Sequence, residues 1–336
     1  LYLSFRRNTV KPWCDAGYEV GFEQVMLTTA FPRPRLQTRQ GNERFALTET
    51  EDGNYRVADG GCVYTIDRIH GLISSVVSNG KEMLAAPIVP NIWRAPIDND
   101  MFVKRDWLTF GYDRMQTKCK RCEVVQSDGE KIEIVSELTL AAVAKTPALW
   151  LTVRYGFAPA EGMCVAIEAR VAENVPFLPR FGVQLEMPKG NEYLTYFGRG
   201  PVESYEDKCH ASRIGLYRAT VTEHFEHYVR PQENMAHIGT RMVTVADATG
   251  HGLQFLGCGE TESFSFNCSH FTPRMLTETA HDYELIPMEQ TVVNLDYRQS
   301  GIGSNSCGPK LDESLRLREK AFAFSFRILS GFPNWL

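Results

Sequence analysis

Apolar and polar residues alternate with a period of two through most of this chain, and that one feature excludes most folds. The segments VYTID, KIEIVSELTL, LWLTVRYGF, CVAIEARV, FGVQLEM, YLTYFG, RMVTVAD, ESFSFNCSHF, EQTVVNLDY and AFAFSFRIL each gather apolar side chains on one face, as a half-buried strand does. Gly, Pro, Asn or Asp separates many of them, so the chain reads as all-β. In GLISSVVSNGKEML, Asn79-Gly80 supplies the two residues that a type I′ turn needs, which predicts a hairpin. Helix candidates are few and short: FEQVML, LTETAHDYEL and LDESLRLREK. Without strands alternating with long amphipathic helices, neither a TIM barrel nor a Rossmann unit fits within these residues. There is likewise no Walker loop, no GxSxG elbow and no HExxH.

The chain has 336 residues, enough to bury a large core and to carry more than one domain. With 23% charged residues and a formal net charge of -5 it presents no basic field for nucleic acid or anionic lipid, and neither partner is expected. No apolar run approaches the roughly 20 residues of a membrane-crossing helix. The opening LYLSFRRNTV lacks both an initiator Met and a signal-peptide layout. We therefore expect a piece of a longer chain, whose compartment, cytoplasm or periplasm, stays open. Near TTAFPRPRLQTRQGNER, prolines and a run of charges mark a boundary. Residues 1–33 are expected to be the last strands of a β-sandwich plus a linker, and residues 34–336 a large two-sheet β domain.

Nine cysteines scattered from Cys14 to Cys307 do not form the framework of a small secreted disulfide domain, so most are expected as free thiols. Cys119 and Cys122 form a CxxC without a second pair or neighbouring histidines, and no metal is expected there.

Charge gathers in a few motifs. In NIWRAPIDND, Pro96 predicts a turn, Arg94 is expected to pair bidentately with Asp98 or Asp100, and Asn99 to bond nearby backbone. Arg94 is accordingly expected to be buried. In GRGPVESYEDK, Arg199 is expected to tie to Glu203 or Asp207, beside Tyr205. Gln232, Glu233 and Asn234 in RPQENMAH could bond sugar hydroxyls, although bracing between strands is the simpler role. His224 and His227 are read as a solvated loop, His281 as a satisfied interior histidine rather than the acid/base partner of Glu284. The loop GIGSNSCGP, Gly301–Pro309, is the best candidate for direct ligand contact, since its glycines admit close backbone approach and Asn305 and Ser306 offer hydrogen bonds.

Five stretches in order, NIWRAPIDND, YFGRGPVESYEDKCHASRIGLY, YVRPQENMAHIGTRMV, SFNCSHFTPRMLTETAHDYEL and NLDYRQSGIGSNSCGP, resemble the C-terminal domain of glycoside hydrolase family 2 β-galactosidases. The opening KPWCDAGYEVGFEQ is similar to the end of the immunoglobulin-like domain that precedes it there. The resemblance implies a galactose-mutarotase-like β-supersandwich lying behind a catalytic TIM barrel, which would be the partner, on the same polypeptide or as a large subunit. The nucleophile and acid/base glutamates would belong to that barrel, leaving no catalytic residue in this chain, and Mg and Na would be bound mainly by other domains. It further implies that Asp100, Met101, Asn305, Ser306 and Cys307 approach the rim of the β-galactoside site, while Arg94, Asp98, Asn99, Arg199 and Glu203 shape the supporting loops. In some family members a Trp of the glycine-rich loop stacks on the sugar; Cys307 holds the aligned position here. Two other readings stay open: a free-standing carbohydrate-binding or aldose-epimerase-like protein, and the small subunit of a split β-galactosidase.

Overall fold

The computed structural model describes residues 1–25, 44–128, 131–159 and 162–330. Two compact units, Leu1–Arg39 and Gln40–Leu336, divide the chain. The boundary expected between residues 33 and 34 lies outside the described residues.

In the first unit, strands Tyr2–Arg6 and Glu19–Gln24 form an antiparallel hairpin with Tyr2 opposite Gln24. FEQVML was expected as a helix. Its first three residues are instead strand, and Met26 and Leu27 lie outside the described residues. Leu3, Phe5, Trp13, Tyr18 and Val20 are all exposed on this hairpin and its loop.

The second unit is a two-layer antiparallel β structure. One layer is a nine-stranded sheet running from the edge strand Arg213–Thr220 through Tyr193–Gly200, Met242–Ala246, Gly252–Gly257, Ala321–Ser330, Gly162–Val171, Leu149–Ala158 and Ile132–Ala141 to Gln116–Ser127. The other layer is made of two five-stranded sheets. A meander from Ala46 to Glu82 forms one of them, and the order His237–Thr240, Phe264–Ser269, Thr291–Gln299, Arg180–Met187, Ala86–Asn91 forms the second. Aromatic rings join the layers: Phe45 and Tyr64 meet Phe157 at 5.5 and 5.4 Å, and Phe181 and Tyr297 meet Phe322 at 4.8 and 4.7 Å. The period of two is the cause, since the inward residues Leu149, Leu151, Val153, Tyr155 and Phe157 are all buried while Arg154 between them is exposed.

Asn79 and Gly80, with φ of 49° and 78°, make the expected hairpin turn between Leu72–Ser78 and Lys81–Glu82. The helices differ from expectation. An unforeseen one, Val103–Phe110, buries Trp107 and ends at Gly111 in the left-handed conformation. LTETAHDYEL contributes only the end of the helix Pro273–Glu278 and a 3₁₀ turn, Asp282–Glu284. LDESLRLREK contributes one 3₁₀ turn, Glu313–Leu315.

Seven cysteines are free thiols, while Cys164 and Cys258 form a disulfide. Spacing alone could not reveal that pair, because 94 residues separate its members. Among the described residues no helix is long and apolar enough to cross a membrane.

Candidate functional site

Asn91 starts the loop that leaves the strand Ala86–Asn91. Its amide turns the chain by accepting from Trp93 N–H (2.8 Å) and donating to Trp93 O (3.1 Å). This buries Trp93 and Arg94 side by side in sequence. The Arg94 guanidinium is fully buried, lies 5.6 Å from the Trp107 ring centroid, and donates through Nη2 to both Asp100 oxygens (2.9 and 3.2 Å). Nη1 donates to Ser300 O, and Nη2 also to Gly301 O at 3.2 Å. The pairing is thus with one guanidinium nitrogen rather than a two-pronged fork, because the other nitrogen holds the backbone of a distant segment.

Residues Asp98–Asp100 form a 3₁₀ turn, so the two aspartates do not share the face of an extended strand. Asp98 is exposed and outside the Arg94 pair. Asp100, expected near a sugar rim, is buried, and its Oδ2 also accepts from Ile97 N–H (3.1 Å). Met101 is exposed. Asn99 Nδ2 donates to Ile302 O at 2.6 Å.

The second motif reaches the same segment. Asp207 accepts from Ile302 N–H at 2.9 Å and from Gly303 N–H at 2.7 Å. Contrary to expectation Arg199 bonds neither Glu203 nor Asp207; it donates to the carbonyls of Cys209 and Ser212 (3.3 and 3.4 Å). Glu203 pairs with Lys208 and accepts from Tyr228 Oη (2.9 Å) and Met235 N–H (3.0 Å). In the glycine-rich loop, Asn305 adopts a φ of 99°, Asn305 and Ser306 are partly exposed, and Cys307 is an exposed free thiol.

Beneath these loops lies an ionic cluster absent from the sequence reading. Arg180 donates from Nε to Asp296 Oδ1 (3.0 Å), from Nη1 to Glu233 Oε2 (3.2 Å), and from Nη2 to Asp296 Oδ2. Asn267 and Gln299 donate to Glu233 Oε1 at 2.8 and 3.2 Å. Arg180 and Asp296 have no exposed surface, and Glu233 only 3%. Burial raises both carboxyls above their ordinary range, against the pull of Arg180. Such a group braces the sheets and cannot reach a ligand in solvent. Gln232 and Asn234 do likewise: Gln232 Oε1 accepts from Asp98 N–H (3.3 Å), and Asn234 Oδ1 from Glu226 N–H (3.2 Å). A charged residue inside an apolar strand pattern, as in FGVQLEM preceded by Arg180 or NLDY with Asp296, was the available signal.

Two histidine readings are corrected. His224 is buried, not part of a solvated loop, and its Nε2 meets His237 Nε2 at 2.6 Å. Only His227 is exposed, pairing with Asp282 at 2.9 Å. A carbonyl only accepts, so His237 Nδ1, 2.7 Å from Arg199 O, carries a hydrogen, while His224 Nδ1 lies 3.3 Å from Cys268 O. Burial holds both rings neutral, lowering His224 to about 4 and His237 to about 3. His281 is exposed rather than interior and lies 3.3 Å from Glu284 at the start of a 3₁₀ turn.

Fold and site together define a two-layer β domain whose charged motifs tie loops to one another and whose buried carboxylates are sealed from solvent. The chain belongs to the beta galactosidase small chain family, which it matches over residues 58–328. It is 33% identical over 331 residues to a beta-galactosidase of Actinobacillus pleuropneumoniae, covering 98% of this chain and 32% of that protein. Against a beta-galactosidase of Staphylococcus xylosus it is 33% identical over 314 residues, 93% of this chain and 31% of the other. The chain thus spans about a third of the length of these relatives. Among solved structures, a putative aldose 1-epimerase from Escherichia coli K12 aligns over 85% of this chain and 100% of that one, with 10% identity and a TM-score of 0.42. Galactose 1-epimerase from Lactobacillus acidophilus NCFM aligns over 86% and 99%, with 9% identity and a TM-score of 0.38.

Proposed function

We propose that this chain is the C-terminal, non-catalytic portion of a retaining β-galactosidase, supporting a TIM barrel and lending the loop Gly301–Pro309 to the rim of its sugar site. The observation that carries this reading is the convergence of Arg94, Asn99 and Asp207, from two separate motifs, on the backbone of Ser300–Gly303. Such bracing holds a loop outward in one shape, as a contact surface for a ligand bound elsewhere requires. The beta-galactosidase names of relatives three times as long support a catalytic partner, whether on the same polypeptide or as a separate large subunit.

Retaining hydrolysis uses two carboxyls roughly 5 Å apart flanking the glycosidic bond, one attacking and one protonating. Glu233 and Asp296 are a carboxyl pair in this chain, but every oxygen of theirs points into the Arg180 cluster. The chain's part is therefore to bind and orient: Asn305 and Ser306 offer hydrogen-bonding groups, and Cys307 a small thiol where an aromatic platform would otherwise lie. Among the described residues, no group of three or more His, Cys, Asp or Glu gathers as a metal site.

The test is turnover of nitrophenyl β-galactoside by the purified chain, alone and assembled with the catalytic portion of its parent. We expect no turnover above buffer alone and turnover in the assembly. Robust hydrolysis by the chain alone, lost in Asp98→Asn or Glu233→Gln, would overturn the assignment.

A further inference from the structure

We infer that Asp207 is a positioning residue for the β-galactoside, acting through the loop Gly301–Pro309; this rests on the placement of that loop at the sugar-site rim. Both oxygens of its carboxylate are occupied by successive backbone amides, Ile302 N–H at 2.9 Å and Gly303 N–H at 2.7 Å. A carboxylate that accepts from two consecutive peptides fixes both peptide planes. A neutral amide of the same shape cannot, because it has one acceptor oxygen and presents an NH₂ to the second N–H.

The opposite side of the same backbone is held too. Arg94 takes the carbonyls of Ser300 and Gly301, and Asn99 takes that of Ile302. Three consecutive carbonyls, of Ser300, Gly301 and Ile302, are thus gripped from one loop, and two consecutive amides, of Ile302 and Gly303, from another. Gly301 allows this approach, since a Cβ there would stand 2.6 Å from Asp207 Oδ2 and 3.0 Å from Leu311 Cδ1.

Asp207 is itself rigid. It lies in a tight turn closed by reciprocal bonds between Tyr205 and Lys208, at 2.9 and 3.0 Å. Tyr205 is buried in a small apolar cluster with Ile97, Ala236 and Ile302. The side chain of Ile302 is therefore packed against the turn whose neighbour holds its amide, and the grip ends two residues before Asn305. Where Asn305, Ser306 and Cys307 stand follows from the direction in which Asp207 sends the chain after Gly303. A shift of about 1 Å in such contacts is enough to weaken an oriented complex by an order of magnitude or more.

The experiment uses the assembled enzyme carrying Asp207→Asn, with Asp207→Glu as the second variant and Cys307→Trp as an independent probe of the rim. Hydrogen exchange of the Ile302 and Gly303 amides and the kinetics on nitrophenyl β-galactoside and lactose are read together. We expect Asp207→Asn to speed exchange of those two amides at least tenfold and raise KM about tenfold, with kcat within about twofold. Asp207→Glu, which keeps the two acceptors, should recover part of both. Unchanged exchange in Asp207→Asn would overturn the anchor. Faster exchange with unchanged KM would overturn the positioning role; if Cys307→Trp then shifts KM, the rim reading survives, and if it does not, that reading falls as well.

Discussion

Arg94 shows why a buried charge is better judged by its partners than by its class. Its guanidinium meets one carboxylate, two carbonyls and an indole face through Nη1 and Nη2, while its buried Nε–H has no partner among the described residues. Arg94→Ala would leave Asp100 buried without its cation, which should cost about 3–5 kcal/mol. Urea unfolding checks this, and an unmoved midpoint would refute it. Cys307 is the opposite case, an exposed thiol among free cysteines of which Cys62, Cys122 and Cys268 are buried. A thiol reagent added to the native chain should modify Cys307 in its fastest phase, and Cys307→Ser should remove that phase. Retention of the full fast phase in Cys307→Ser would show the loop to be covered. Of these residues, the pairing of Arg94 was legible because an arginine between an aromatic and a proline, followed by aspartates, has few other uses. That Asp100 rather than Asp98 is the buried partner was not legible, because nothing local says which of two aspartates an arginine will take.

At the scale of elements, a strand with one wet face announces itself by alternation, whereas the helix Val103–Phe110 sends a weak signal because it wholly buries one residue, Trp107. Partners across a sheet are invisible for a different reason. Arg180 and Asp296 sit 116 positions apart, and only the pairing of Arg180–Met187 with Thr291–Gln299 brings them together. The His224–His237 pair joins a turn to the short strand His237–Thr240 in the same nonlocal way, packed between Tyr196 and Phe266. Its consequence is acid sensitivity. Both rings are neutral in the fold, with pKa values lowered to about 4 and about 3, while unfolded histidines titrate near 6.5. Their contribution is complete above about pH 6.5 and is lost as pH falls toward the folded values, since the unfolded state then binds more protons. Between pH 7 and pH 5 the pair should remove about 4 kcal/mol of stability. The double variant His224→Phe, His237→Phe should flatten that limb of the stability–pH curve; an unchanged slope would contradict it.

Across the whole second unit, the nine-stranded sheet is fastened by a covalent link. Cys164 belongs to the strand Gly162–Val171 and Cys258 directly follows Gly252–Gly257, the two neighbours of Ala321–Ser330. The bridge therefore connects the strands on either side of the last one. Replacing both cysteines by serine should lower the unfolding free energy by about 2–4 kcal/mol, the usual range for a disulfide. Equal stability of the oxidised parent and the double variant would argue that the link is formed without constraining the unfolded chain. The two-layer architecture itself was legible, because ten alternating segments with no long helices leave few alternatives. The division of one layer into two five-stranded sheets was not, because where a sheet stops depends on hydrogen-bond partners far along the chain.

The strand Ala321–Ser330, the last in the described chain, does not lie at an edge. It pairs with Gly162–Val171 on one side and Gly252–Gly257 on the other, so four strands stand to its left and four to its right. On a ribosome, both groups of four emerge long before the strand that joins them. Until it arrives, each presents an open row of backbone donors and acceptors, the kind of edge that invites pairing with a neighbouring chain. A nascent chain stalled before residue 321 is then two half-sheets with nothing to close them. Between making residue 257 and making residue 330, both of those edges stay open.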